Sequence, residues 1–152
     1  MHSSDATLSH GEIRDLHRIA GMMIPAGEEY DVPGADDPNI FADIVHSLGG
    51  DTAAISAALA ELATLGGGAF ADLDVATAND AAAAFHGSGS TNAVTLGRII
   101  LQCYYRDDRV LRSLGVEPGP PFPAGRVVEQ GDWSLLDEVR HRPQLWRDDR
   151  AV

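Results

Sequence analysis

The stretch DPNIFADIVHSLGGDTAAISAALAELATLGGG, residues 37–68, decides the fold class. Asp37 before Pro38 is a helix start: a side-chain cap, then proline at the first helical position, where no N–H is needed. Ile40, Phe41, Ile44, Val45 and Leu48 follow at helical spacing, and Gly49-Gly50 stops the run. Asp51 is expected to cap the next helix. Its apolar residues Ile55, Leu59, Leu62 and Leu65 fall on one face, and Gly66-Gly67-Gly68 closes it. Two adjacent amphipathic helices with glycine stops predict an all-α domain.

The pattern extends in both directions. Ser9-His10-Gly11-Glu12 is a capping box, in which the Ser9 hydroxyl accepts from the Glu12 N–H and the Glu12 carboxylate reaches back. Ile13, Leu16, Ala20 and Met23 then share a face, and Pro25 ends the helix. Residues 25–37 are a loop rich in glycine, proline and acid. Past the glycines, Asp80 to Phe85 predicts a helix and residues 86–90 a break. Thr91 is expected to cap a helix reaching Tyr105, with Val94, Ile99, Ile100 and Cys103 inward. Asp107 or Asp108 starts a short helix through Val110, Leu111 and Leu114, closed by Gly115.

Residues 116–127, VEPGPPFPAGRV, hold four of the eight prolines and favour extended backbone. The segment 126–129 is a weak strand candidate, and Asp132 is expected to cap a last short helix that Pro143 ends. The predicted architecture is one small irregular helical domain, with a helical body at 8–115 and a proline-rich C-terminal tail at 116–152.

Composition narrows the function. The net charge is −12 and the chain contains no lysine. Schiff-base, P-loop and general-base lysine chemistry are thereby excluded. A chain this acidic repels phosphate backbones and anionic membrane surfaces. The charge is unevenly placed: residues 19–97 carry eleven acids and no arginine, whereas residues 98–152 carry nine of each. No run approaches the ~18 apolar residues of a spanning helix, and MHSSDATLSHGE does not resemble a signal peptide.

Catalytic patterns are missing from the sequence. Gly87-x-Gly89 and Gly66 to Gly68 follow no predicted strand and read as linkers or helix stops rather than phosphate loops. The six histidines form no H-x-x-x-H or H-E-x-x-H pattern. Asp72-Leu73-Asp74 lacks the rest of an EF-hand loop, and Asp107-Asp108 sits where a helix needs a cap. The lone Cys103, on an apolar helix face, reads as a small hydrophobe. No catalytic, cofactor-binding or metal-binding residue is assigned.

Aromatic and arginine placement instead suggests a contact surface. Five of nine aromatics follow residue 103: Tyr104, Tyr105, Phe122, Trp133 and Trp146. Tyrosine, tryptophan and arginine anchor interfaces. With Arg109 and Arg126, these five form the candidate partner interface, because a proline-rich tail makes few contacts with its own core.

The same residues carry a resemblance. Leu8-Ser9-x-x-Glu12, Ile19-Ala20, Ile24-Pro25-Ala26, Pro33-Gly34-Ala35 and Phe41-Ala42-Asp43 resemble the N-terminal pattern of the gluconate 2-dehydrogenase subunit 3 family. Tyr104-Tyr105-x-Asp107-x-Arg109-Val110, Leu114-Gly115 and Pro120-Pro121-x-Pro123-x-Gly125 are similar to its C-terminal part. The similarity runs from about residue 8 to 147 and rests on order and spacing rather than on one diagnostic motif.

The resemblance implies a non-catalytic accessory small subunit. Its partner would be a large FAD-dependent oxidoreductase of the glucose-methanol-choline type, which oxidises sugars or alcohols. FAD and the catalytic bases then belong to that partner, and the small subunit helps it fold, stay soluble or reach its compartment. Many members carry a twin-arginine export leader, whereas none precedes Leu8 here, so the expected location is cytoplasmic, or periplasmic if a leader was removed. The alternatives are a free-standing helical binding or regulatory module, and a small carboxylate-based enzyme using the acidic loop at 28–37.

Overall fold

Ser9 opens the first helix with both halves of its capping box. The Glu12 N–H donates to Ser9 Oγ at 3.3 Å, and Glu12 Oε2 accepts the Ser9 N–H at 2.8 Å. The computed structural model describes residues 7–119, 125 and 130–143, and the fold is all-α. The helices are α1 (His10–Met23), α2 (Pro38–His46), α3 (Thr52–Gly66), α4 (Val75–Gly87), α5 (Thr91–Tyr104), α6 (Asp108–Ser113) and α7 (Asp137–Arg140). They fall in two compact units, Met1–Pro118 and Gly119–Val152.

Helix α3 is the centre of the first unit and packs against α1, α4 and α5. Ile55, Ala58, Leu59 and Leu62 on α3 are fully buried, together with Leu16, Ile40, Ile44, Phe70 and Ile100 from the elements around it. Each buried leucine or isoleucine contributes about 1.5–3 kcal/mol relative to exposure. Helix α4 has little amphipathic contrast but places Ala78, Ala81 and Phe85 on one buried face. Alanine adds little bulk to the contact, which lets α4 pack closely on α3.

Between α3 and α4 the chain makes a 3₁₀ turn, Phe70–Asp72, that docks onto α1. The buried Asp15 carboxylate accepts the Ala71 N–H at 2.6 Å. One turn further along α1, Arg18 Nη1 lies 2.6–3.0 Å from the carbonyl oxygens of Phe70, Ala71 and Leu73. Its guanidinium also sits 5.6 Å from the centroid of the Phe70 ring. Arg14 pairs with Asp72 at the edge of the same turn. Three residues of α1 thus satisfy a segment whose polar groups lie outside any regular helix.

Glycine is required at two joints. Gly67, at φ +73°, supplies the left-handed residue that ends α3. A Cβ at Gly34 would approach the Ala26 nitrogen to 2.9 Å, so only glycine lets the 25–37 loop fold back on the end of α1. That loop also holds a 3₁₀ turn at Glu28–Tyr30 and an antiparallel bridge between Gly27 and Val32.

Several local expectations are corrected. Asp51 stands at the position before α3 but makes no capping bond, because its carboxylate is held by Arg98. Ser90, not Thr91, caps α5, accepting from the Ala93 N–H at 3.2 Å. Helix α4 is longer at both ends than the expected 80–85 and is capped by Asp74. Helix α2 ends at His46, before the glycines, and a 3₁₀ turn spans Gly49–Asp51. Val94, expected to face inward, is exposed, and so are Met23 and Leu65 at the ends of the expected apolar faces and Leu114 at the end of α6.

In the second unit, Asp132 caps a 3₁₀ turn, Trp133–Leu136, that runs into α7. Trp133, Leu135, Leu136 and Val139 are all exposed. The strand candidate at 126–129 lies outside the described residues, as do Phe122, Arg126 and Trp146.

Candidate binding groove

The arginines and carboxylates that were far apart in sequence meet in an antiparallel series. Arg98 pairs with Asp51 at 2.6 Å, and Arg106 pairs with Asp43 through Nε and Nη2, both at 2.6 Å. Arg109 pairs with Asp37 at 2.7 Å. Arginine numbers rise as aspartate numbers fall, so the start of α2 faces α6 and the start of α3 faces α5. Arginine suits this role because its planar fork grips a carboxylate at two points.

Arg109 grips two carboxylates. Besides Asp37, the cap of α2, it bonds Asp107, the cap of α6, through Nε and Nη2 at 3.0 Å each. Arg109 holds both aspartates below the ordinary carboxylate range, and the cap N–H bonds add to this. Arg106 likewise lowers Asp43. Cys103 beside it is 2 % exposed, and burial raises its thiol above the usual value.

The residues singled out in the sequence divide accordingly. Tyr104 is a core residue at 6 % exposure, its hydroxyl pKa raised by burial. Tyr105 is exposed, and its ring meets Tyr104 edge-on at 5.3 Å. Arg109 is engaged within the chain, as above. Trp133, in the second unit, is exposed and donates its indole N–H to Gln130 Oε1 at 3.0 Å. Among the described candidates, Tyr104 and Tyr105 are in ring contact.

A different surface has the form of a binding site. A groove of about 860 Å³ opens between the end of α1, one side of α4 and the outer face of α5. Its apolar lining includes Ile19, Met22, Met23, Phe85, Ala93, Val94, Leu96 and Leu101, and Asn79, His86, Arg98 and Gln102 add polar groups. Of the apolar residues, Met23, Val94 and Leu101 are exposed, at 39 %, 63 % and 39 %. Pockets that bind organic groups are mostly apolar with a few polar groups, in roughly the range 300–1,000 Å³.

The sequence held the signal for this groove in a misleading form. Met23 fits the apolar period of α1 but stands at its end, past the buried Leu16, Ile19 and Ala20. Val94, expected inward, lies on the side of α5 away from the buried Ile99, Ile100 and Cys103, one helical stripe with Leu101.

Other depressions are smaller or more polar. One, lined by Asp43, Cys103, Arg106 and Asp107, belongs to the ion-pair series. Among the described residues no group of three or more His, Cys, Asp or Glu side chains converges as a metal site. No helix among them is long and apolar enough to cross a membrane. No family model, curated protein or solved structure matches the chain.

Proposed function

We propose that this chain is an accessory small subunit that binds and stabilises a larger FAD-dependent sugar or alcohol dehydrogenase and performs no catalysis itself. The observation that carries the binding role is the apolar groove, with Met23, Val94 and Leu101 facing outward at its edge. Contiguous exposed apolar surface is a feature of sites that meet other molecules. The identity of the partner rests on the sequence resemblance described above, which covers most of the chain. In this proposal FAD, substrate specificity and the catalytic bases reside in the partner.

The exposed aromatics Tyr105 and Trp133 remain candidate contacts. Phe122, Arg126 and Trp146 are proposed contacts on the strength of residue type alone. Arg109 contributes indirectly, by holding the starts of α2 and α6 together, and Tyr104 by supporting Tyr105.

Co-expression of the full chain with a flavoprotein dehydrogenase encoded beside it tests the proposal. The expected result is co-elution of the two chains with bound yellow flavin, and less soluble dehydrogenase when the small chain is omitted. Equal yield and activity of the dehydrogenase alone, with no co-elution, overturns it.

A further inference from the structure

The lining of the groove is soft and has a slot along one side. Two of the chain's three methionines, Met22 and Met23, belong to it. Methionine is flexible and adapts to irregular apolar partners. Gly97 leaves a bare stretch of α5 between Val94 and Leu101, where an added Cβ would find only Met23 Cε, at 3.8 Å. The α5 side of the groove, Ala93 to Gln102, runs about 14 Å. That length suits an extended dodecyl chain.

The charge at the site is the reverse of the charge of the body. Residues 7–118 carry sixteen carboxylates and six arginines, yet among the described residues no carboxylate lines the groove. Its arginine is Arg98, and Gln102, one turn further along α5, accepts from Arg98 Nη1 at 3.1 Å. Asp51, which Arg98 meets through Nη2, stands outside the lining. A guanidinium has five N–H donors, and the Arg98 side chain remains 44 % exposed beside Asp51. Arg109 shows the capacity within the same body, since one guanidinium there serves Asp37 and Asp107 together.

We infer that the groove binds a free aliphatic carboxylic acid of medium to long chain. The chain lies along Met23, Gly97 and Phe85, and the carboxylate accepts from Arg98 and from the Gln102 amide. This goes beyond the accessory role and is read on the chain alone, so that either can fail without the other. A second copy is disfavoured at the site itself: face to face, it would set a second Arg98 against the first with no carboxylate in either lining. A membrane surface is disfavoured because the acidic body repels anionic lipid.

Isothermal titration calorimetry of the full chain provides the test, with dodecanoate, decanoate, dodecanol and dodecylammonium below their micelle-forming concentrations. Dodecanoate should bind at a single saturable site. Decanoate, shorter by two methylenes, should bind about tenfold more weakly. Dodecylammonium should be weaker than dodecanoate by at least about tenfold, a charge preference that simple partition into apolar surface does not produce. Arg98→Gln should lower dodecanoate to the level of dodecanol and leave dodecanol unchanged. Gly97→Leu fills the slot and should abolish binding of all four. Leucine favours the helix over glycine, so this variant should melt no lower than the parent. Circular dichroism checks both folds.

Absence of saturable binding overturns the inference, as does equal affinity for dodecanoate and dodecylammonium. Indifference to Gly97→Leu or to Arg98→Gln also overturns it. So does a dimer of the chain alone that Gly97→Leu abolishes, since the occupant is then a second copy. Binding to anionic vesicles without binding of monomeric dodecanoate makes the groove a membrane contact and is equally fatal.

Discussion

Asp37 and Asp107 cap different helices seventy residues apart, and a single guanidinium, that of Arg109, binds both. Each carboxylate already accepts backbone N–H groups of its own helix, so Arg109 joins two helix starts rather than two isolated side chains. Arg109→Ala should destabilise the chain by about 1 kcal/mol, since the pairs are partly exposed. Arg109→Lys should recover less than half, because an ammonium cannot reproduce two forked contacts. Urea denaturation checks both. Full recovery with lysine would show that charge alone matters.

Acid should weaken the same contacts in a defined window. Asp37, Asp43 and Asp107 all have folded values below the ordinary 3.8, with Arg109, Arg106 and Arg109 as the respective leading causes. Stability from a depressed carboxylate is complete above its unfolded value and is lost as pH falls through its folded value. Unfolding midpoints should therefore hold between about pH 7 and 5 and fall below about pH 4. The Arg106→Leu/Arg109→Leu variant should show a flatter fall. An identical slope in variant and parent would exclude these pairs as the origin.

The docked turn between α3 and α4 should be sensitive from the α1 side. Asp15→Ala leaves the part-buried Ala71 N–H without its acceptor and should cost about 1–2 kcal/mol. Phe70, fully buried in the same turn, should cost about 3–5 kcal/mol on truncation to alanine. Thermal and urea unfolding of the two variants give the comparison. An Asp15→Ala cost near zero would mean that the turn is held by Phe70 packing alone.

Cys103 offers a probe that requires no substitution. Burial both hides the thiol and raises its pKa, so it is rarely the reactive thiolate. Labelling by a thiol reagent in native buffer should be slow and should accelerate with sub-denaturing urea as the body opens. Immediate stoichiometric labelling without urea would contradict the buried position.

What the sequence disclosed follows the range of the interactions involved. Ser9 with Glu12, Asp37 with Pro38, and Asp132 are caps whose partners lie within a few residues, and all three were legible. Asp51 looked equally good as a cap. Its carboxylate is taken by Arg98, forty-seven residues away, and nothing local announces that choice. The arginine-rich end suggested an external surface for the same reason. Arg98, Arg106 and Arg109 find their carboxylates in the acidic stretch of the same body, a match visible only once α2 lies beside α5 and α6. The groove is not legible because Val94 and Leu101 form a second apolar stripe on α5, away from the buried Ile99 and Cys103, and only the fold brings it beside Met23 and Phe85.

Arg98 lies at the junction of two features, being both the partner of Asp51 and part of the groove wall. The contact returns the chain to its own earlier path after the excursion through α3 and α4. A molecule seated in the groove would press on the residue that closes this circuit. Occupancy and folding are then thermodynamically linked, and binding to the native form alone raises its apparent stability. If the chain works with a partner as proposed, the unoccupied chain would be the shorter-lived one, and the supply of the partner would set how long each copy survives proteolysis.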